Sequence, residues 1–518
     1  LIYVIGSGLS GVAAAAALIR RGFRPTILDA GIRQDTEAAA LKARLASVEP
    51  DDWTAEDIEQ VRRMGPASRN GIPRKLSFGS DFAYRDVDKE TSADLRQSIL
   101  LRSFASGGFS NVWGGVIQSF PADEFHHWPV AHSQLSRHYS DIQEFMQCPV
   151  DQPVSPSIQT RALYEDLSRH RIALESAGIQ FDYAKLAIRT SDTARDGKGC
   201  RHCGLCLHGC PYDSIFSAAT ALTRFIREGL VQHVPGVIVD RISEVNGRIR
   251  IESRSVDNQA PRTFDGHTVF LAPGLLETVR ILLNSTAGKH RHATTVKIRQ
   301  SDIFTLPLLR YHSTSGIDRE RLHTLCQMVV NITDDAICRH PVHLQLYGYN
   351  DLYRQLLADR TGFLGRPLSR VLRSVSERLF MAFGYLHSDV SSGIQLTHAA
   401  EQQGRLRVEG QPNPEAPRVG RAVAKKLLRS RKYLRTLSVS HELKFDVPGG
   451  GLRSGGCFPM RRRPADLETD PFGSIAGLPG VHLVDSSVLP TVPAGPLAFT
   501  VMANAHRIAS ECTIHDVR

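Results

Sequence analysis

Ile5-Gly6-Ser7-Gly8-Leu9-Ser10-Gly11-Val12 closes a short apolar run, residues 1–5, and opens an alanine-rich segment, residues 12–21. A second apolar run, Thr26–Leu28, ends at Asp29. Strand, G-x-G-x-x-G, helix, strand and acid in that order form the βαβ fingerprint of an adenine-dinucleotide site. Each glycine has its own reason. Gly6 permits the tight turn, Gly8 lets a pyrophosphate approach the backbone, and Gly11 lets helix and strand pack closely. The helix N-terminus adds amide donors and the positive end of its dipole, and Asp29 is placed to accept from ribose hydroxyls.

The rest of the chain bounds what surrounds that unit. Its 518 residues exceed one small core, so two or three interwoven domains are expected. Hydrophobic residues at 42% and charged residues at 22% fit an ordinary globular chain. No apolar run is long enough for a transmembrane helix, and no signal peptide is visible, although the numbering opens almost inside the first strand. Part of the net charge of +10 falls on Arg418, Arg421, Lys425, Lys426, Arg429, Arg431, Lys432 and Arg435, which share one helical stretch. That stretch reads as a surface for an acidic partner, anionic lipid or phosphorylated substrate, or as a solvated helix face. No nucleic-acid motif appears, so no nucleic-acid partner is expected. Cys148, Cys326, Cys338, Cys457 and Cys512 are scattered and suggest no disulfide framework. Clustered thiols elsewhere fit a reducing compartment, and a cytoplasmic location is the expectation.

Those clustered thiols are Cys200-Arg-His-Cys203-Gly-Leu-Cys206-Leu-His-Gly-Cys210-Pro211, four of the nine cysteines within eleven residues. The spacing C-x2-C-x2-C-x3-C-P is that of a ferredoxin-type iron–sulfur loop. In two-cluster ferredoxins the fourth cysteine of such a run serves the other cluster. Cys200, Cys203, Cys206 and Cys210 are therefore read as ligands of a [4Fe–4S] cluster, of a [3Fe–4S] cluster using three of them, of a zinc ion, or of nothing. Zinc favours paired C-x2-C units set apart by a longer loop, which is absent here. Soft thiolates in one tight loop suit iron–sulfur better.

Three further motifs follow in order: the glycine-paired Gly107-Gly108-Phe-Ser110-Asn111-Val-Trp113-Gly114-Gly115; the strand and turn Thr268–Leu271 with Ala272-Pro273-Gly274-Leu-Leu-Glu277; and Val484-Asp485-Ser-Ser-Val-Leu-Pro490. With the first glycine turn they resemble the glucose–methanol–choline (GMC) family of flavoprotein oxidoreductases over most of the chain. Residues 107–115 look like the family's G-G-S-S-x-x-W-G-G segment along the flavin. Residues 272–285 look like its A-A-G-A-x-E-T-P-R-L-L-L-x-S element, with Pro273 and Val279 replacing Ala and Pro, and residues 484–490 look like its V-x-D-x-S-x-x-P segment. Trp128-Pro129-Val130 is similar to its W-P-[IV] segment. The resemblance implies an α/β fold in which a Rossmann-type domain holds FAD and a sheet-based domain covers the isoalloxazine. It implies cofactor contacts at Gly6, Gly8, Gly11, Asp29, Gly107, Gly108, Ser110, Asn111, Gly114, Val237, Ala272, Gly274, Asp485, Ala498 and Phe499.

A discontinuous FAD-binding domain is expected over residues 1–123, 217–285 and 461–518, a flavin-lid and cysteine-rich segment over 124–216, and a substrate domain over 286–460. Period-two runs at residues 343–349 and 383–389 suggest antiparallel strands in that last domain. Helices are expected at 278–284 and 499–510, a charged helical insertion at 35–70, and a basic amphipathic helix at 360–379.

The catalytic pair departs from the family. Its histidine base lies in H-x-x-G-T-x-x-M-G; here Arg453-Ser-Gly-Gly456-Cys457-Phe-Pro-Met460 puts Arg453 at that position. The family's second residue, His or Asn, is replaced by Pro496. A guanidinium is no general base at neutral pH, but it anchors carboxylates or phosphates and stabilises an alkoxide or enolate. Either the base comes from elsewhere, with His441, His387 and His343 as candidates, or the substrate needs none, or hydride chemistry has been lost. The expected activity is an FAD-dependent dehydrogenase that takes hydride from a CH–OH group of a sugar, polyol or other alcohol onto flavin N5. Electrons would leave through an iron–sulfur cluster to an acceptor protein. Alternatives are a flavoprotein component of an electron-transfer complex and a non-redox flavin-dependent isomerase or lyase.

Overall fold

The runs Ile2–Ile5, Thr26–Leu28, Thr268–Leu271 and Val481–Leu483 leave almost no side chain for water, as strands covered on both faces require. They pair parallel, with Gln232–Val234 added at one edge, in the order Val481–Leu483, Thr268–Leu271, Ile2–Ile5, Thr26–Leu28, Gln232–Val234. The structure is a computed structural model and describes residues 1–63, 74–88, 93–149, 153–190, 199–286, 294–350, 369–398 and 406–514.

The alanine-rich helix runs Leu9–Arg20, three residues earlier than its composition alone suggests, because extended Gly8 (φ −66°, ψ −175°) lets it start straight from the turn. Its alanines are buried and bring it close to the sheet and to the helix Ala498–Glu511. It stops in a Schellman turn, with Gly22 at φ +83° donating to Ile19 O and Phe23 N to Leu18 O. The expected helices at 278–284 and 499–510 are each longer, Leu275–Thr286 and Ala498–Glu511. A meander of Val237–Val245, Arg248–Ser255 and Pro261–Gly266 lies between two strands of the parallel sheet in sequence.

The period-two runs do form antiparallel strands, Cys338–Tyr347 and Leu379–Tyr385, shifted toward the N-terminus of their expected ranges. They belong to a seven-stranded sheet, and a second sheet of five strands includes Thr294–Gln300 and Ser454–Gly455. One strand of the seven, Ile179–Tyr183, comes from the segment expected to form the flavin lid. The charged insertion after Asp29 holds helices Thr36–Ala46 and Ala55–Arg63, and its residues 64–70 lie outside the described ones. Of the basic helix expected at 360–379, Ser369–Ser376 is helical, Leu379 opens a strand, and 360–368 lie outside the described residues. The basic stretch at 418–435 is two helices, Glu415–Arg429 and Arg431–Leu434. The first buries Val419, Val423 and Leu427 against the large sheet, while Arg421, Lys425 and Arg429 stay exposed.

Glu277 ties these parts together. Fully buried, it accepts from Arg102 Nη1 at 2.9 Å and from Arg280 Nη2 at 2.8 Å. Arg280 also reaches Asp240, which pairs with Arg254, and Arg254 holds Asp88 at 2.6 Å. Burial alone would neutralise the Glu277 carboxyl, but the two guanidiniums hold it below the usual carboxylate range. Replacing Glu277 with Ala removes the carboxylate that two buried cations share and leaves them only Asp86 and Asp240, so chemical denaturation should show a loss of about 3–5 kcal/mol.

Candidate active site

The glycine turn opens onto a cavity of about 480 Å³ that runs from Asp29 at one end to Arg453 at the other. Bare backbone faces it. A Cβ on Gly8 or Gly274 would meet no atom within 4 Å, and both residues line the cavity. Gly6 is at φ +93°, and a Cβ there would run into Ala272 O. Gly108 lies across from Gly8, so two glycine turns face each other over the same space.

Ser7 links those turns. Its hydroxyl accepts from the Gly107 amide at 2.9 Å and donates to Asp29 Oδ2. His233 Nε2 lies 3.0 Å from Asp29 Oδ1, so the buried carboxylate is oriented from both sides. At the middle of the cavity Asp485 accepts from Thr278 Oγ1 at 2.5 Å and from the Ser487 amide at 2.9 Å. Burial pushes its carboxyl upward in pKa. Val237, Ala272, Ser110, Gly114 and Ala498 also line the wall.

Some expected contacts stand behind the wall instead. Gly11 packs against Gly6 O, and Gly107 against the Ala219 amide nitrogen, 2.5 Å from where a Cβ would sit. Asn111 spends its amide on Ser106 O and Gly108 O, fixing the second glycine turn from outside. Phe499 turns away from the cavity and packs on Tyr139, with ring centroids 4.9 Å apart. These residues shape the cavity and do not line it.

The far end is built by Arg453, Pro496, Gln345, Tyr347, Tyr385 and Trp113. Arg453 and Pro496, which the sequence aligned with the catalytic pair of the family it resembles, thus meet in one place. Arg453 Nη1 donates to Ala494 O at 2.7 Å, and its guanidinium carbon lies 3.3 Å from the centre of the Tyr385 ring. Burial drives the Arg453 pKa down and the Tyr385 pKa up, each against its charged form.

None of the histidine candidates lines the cavity. His441 is exposed in the turn Ser440–Glu442, just before the strand Lys444–Phe445 at the edge of the large sheet. His387 is buried but engaged with Glu124 at 3.2 Å. His343 lies beside Gln345 and Tyr385 on one face of the large sheet, bonded through Nδ1 to Asn331 at 2.8 Å, and burial, aided by the Arg453 charge, lowers its pKa to about 3. The sequence reading missed His233, Ser7, Gln345, Tyr347 and Tyr385. The last three follow the strands' period-two alternation, whereas nothing local marks His233.

The cysteine run forms a loop clamped by neighbours far away in sequence. The Gly204 amide donates to Leu322 O at 3.0 Å, the Phe78 amide to His208 O at 2.6 Å, and the Cys200 amide to Arg189 O at 2.8 Å. Amides of His202 and Ser214 point at Cys200 Sγ (3.4 Å) and Cys210 Sγ (3.3 Å). No three of the four sulfurs come within 4.8 Å of one another, so the loop does not form a tight single-ion site of the zinc type. The donor set is four soft sulfurs, and the buried atoms His202 Nε2, Ser214 Oγ and His323 Nδ1 beside the loop have no hydrogen-bond partner. Burial pushes the Cys200 thiol up to about 12 and raises Cys203 and Cys206 as well, so their thiolates need compensating positive charge. Cys206 shares one apolar cluster with Val116, against which Trp113 and Tyr347 pack, and those three line the cavity.

Residues 80–308 match the GMC oxidoreductase family. Over that span the chain is similar to the GMC oxidoreductases. Its fold is similar to that of pyridoxine 4-oxidase from Mesorbium loti, with a TM-score of 0.60 over 98% of each chain at 13% identity. No curated protein matches it in sequence. The match supports a flavin-dependent oxidoreductase, and GMC oxidoreductases bind FAD. The bare-backbone cradle at Gly8 and Gly274 and the oriented Asp29 fit the pyrophosphate and ribose of that cofactor.

Gly8→Leu should fill the cradle without straining a backbone already in an ordinary conformation. The variant is expected to purify folded, with its far-UV dichroism retained and its flavin absorbance lost. Gly6→Ala, placed at φ +93° against Ala272 O, should instead fail to accumulate as soluble protein.

Proposed function

We propose that this flavoprotein is a dehydrogenase that oxidises a CH–OH group of a sugar, polyol or other alcohol. In this reading the cysteine loop holds an iron–sulfur cluster through Cys200, Cys203, Cys206 and Cys210. Bound FAD would supply the hydride acceptor. The observation that carries the reading is the polar end of the cavity, where Arg453 faces in beside Tyr385, Tyr347 and Gln345.

Arg453 there takes the part of electrostatic stabiliser and not of base. Its fixed charge, held by Ala494 O and the Tyr385 face, suits the oxygen of an alcohol that gains negative character as its hydroxyl proton passes to solvent water and the hydride leaves its carbon for the flavin. Gln345 and Tyr347 offer hydrogen bonds to further hydroxyls, as a polyhydroxylated substrate requires. The iron–sulfur part is supported by the four-thiol donor set, its amide-to-sulfur contacts, and the apolar cluster it shares with the cavity wall. The partner expected is an electron acceptor with an acidic face, for which exposed Arg421, Lys425 and Arg429 are the docking candidates, in a reducing compartment such as the cytoplasm.

Anaerobic mixing with a panel of sugars, polyols and simple alcohols should bleach the flavin band for at least one class. Arg453→Lys, which keeps the charge and loses the planar stack, should lower the bleaching rate more than tenfold at unchanged flavin content. A panel that never reduces the flavin, with turnover of another kind, would overturn the dehydrogenase reading. Separately, anaerobically purified protein should carry stoichiometric iron and acid-labile sulfide that Cys203→Ser diminishes. A clean flavin spectrum without iron would make the loop purely structural.

A further inference from the structure

A second cluster of ligating side chains lies away from the cavity, where the helices His132–Met146 and Ala498–Glu511 pack together. His138 and Asp141, three residues apart, share a face of the first helix, and His506 comes from the second. The two Nδ1 atoms are 2.9 Å apart, and each lies 3.8 Å from Asp141 Oδ2. We propose that His138, Asp141 and His506 form a binding site for a divalent transition-metal ion of the zinc class, a site separate from both the flavin cavity and the cysteine loop.

Three features carry the assignment. The point equidistant from the three atoms lies about 2.1 Å from each, which is the bond length of zinc to imidazole nitrogen and carboxylate oxygen. Next, the outer partners are in place. Glu511 Oε1 lies 3.2 Å from His138 Nε2, which Arg137 Nε also reaches at 3.1 Å; with an ion on Nδ1 the ring's proton sits on Nε2 and Glu511 accepts it, the carboxylate–histidine arrangement that orients metal ligands. Arg20 takes the other oxygen of Asp141, Oδ1 at 2.5 Å, and leaves Oδ2 free for the ion. Finally, His138 and His506 are almost wholly buried while the Asp141 side chain keeps 27% of its exposure, which gives an ion a way in and a water a place as further ligand. The other triad of this kind among the described residues, His340, His387 and Asp389, is poorer, because His387 Nδ1 already accepts the Asp389 amide.

An ion here would cross-link two helices. Ala498, at the start of the second, lines the flavin cavity, and Arg20 brings in the last turn of the helix that starts at the glycine turn. The alternative occupant of the 2.9 Å gap is a proton shared between neutral rings, and metal analysis separates the two.

The test uses untagged full-length holoprotein, stripped with chelator, titrated with zinc and freed of excess by gel filtration. Wild type should retain one zinc per chain more than His506→Asn or Asp141→Asn. Zinc on the cysteines is common to all three and cancels in the difference. Zinc should raise the melting temperature of wild type by several degrees and leave both variants unmoved, and Glu511→Gln should weaken the affinity about 10–100-fold. Flavin absorbance checks that each variant is folded; if His506→Asn is not recovered, Asp141→Asn is read in its place. Equal zinc content in wild type and a folded variant, or a wild-type melting temperature indifferent to zinc, would overturn the site.

Discussion

One buried carboxylate holds the flavin side of this protein together. Glu277 sits between Arg102 and Arg280, and through them the charge network spans the segment around Asp86 and Asp88, the meander strands, and the helix Leu275–Thr286. Removing so many charges from water costs several kcal/mol per ion, and only close, complementary geometry offsets that. The network therefore behaves as a registration device: its members fit together in one arrangement, which sets the cavity wall from Arg102 to Glu277.

On that frame the two ends of the cavity divide the work. The Asp29 end is backbone and small side chains, suited to a phosphate-bearing cofactor whose shape varies little. The Arg453 end is built from side chains on the seven-stranded sheet and on the C-terminal loop, so substitutions there alter chemistry without touching the cofactor cradle. Arg453 is held there by the face of Tyr385, which accommodates its large, charged group. The cysteine loop leans on the same end through Trp113, Val116 and Tyr347.

Much of the cofactor half was legible in the chain order of its motifs. The glycine turn, Asp29, the second glycine pair and Asp485 all meet at one cavity, as their order implied. Some expected residues stand away from the cavity, for a common reason. Phe499 and Asn111 belong to the right motifs but point outward, because a motif fixes backbone path and not the direction of every side chain in it. His441, one of three candidate bases, is exposed in a surface turn.

Local constraints are what the sequence by itself determined. Glycines at positive φ, a buried run bounded by an acid, and four thiols within one loop each depend on a few consecutive residues, whose backbone geometry is set by their own sterics. The tertiary structure alone decided which distant side chains meet. Arg453 finds Tyr385, His233 finds Asp29, and His138 finds His506 across 368 residues, because the packing of sheets and helices, not spacing along the chain, brings those atoms within reach.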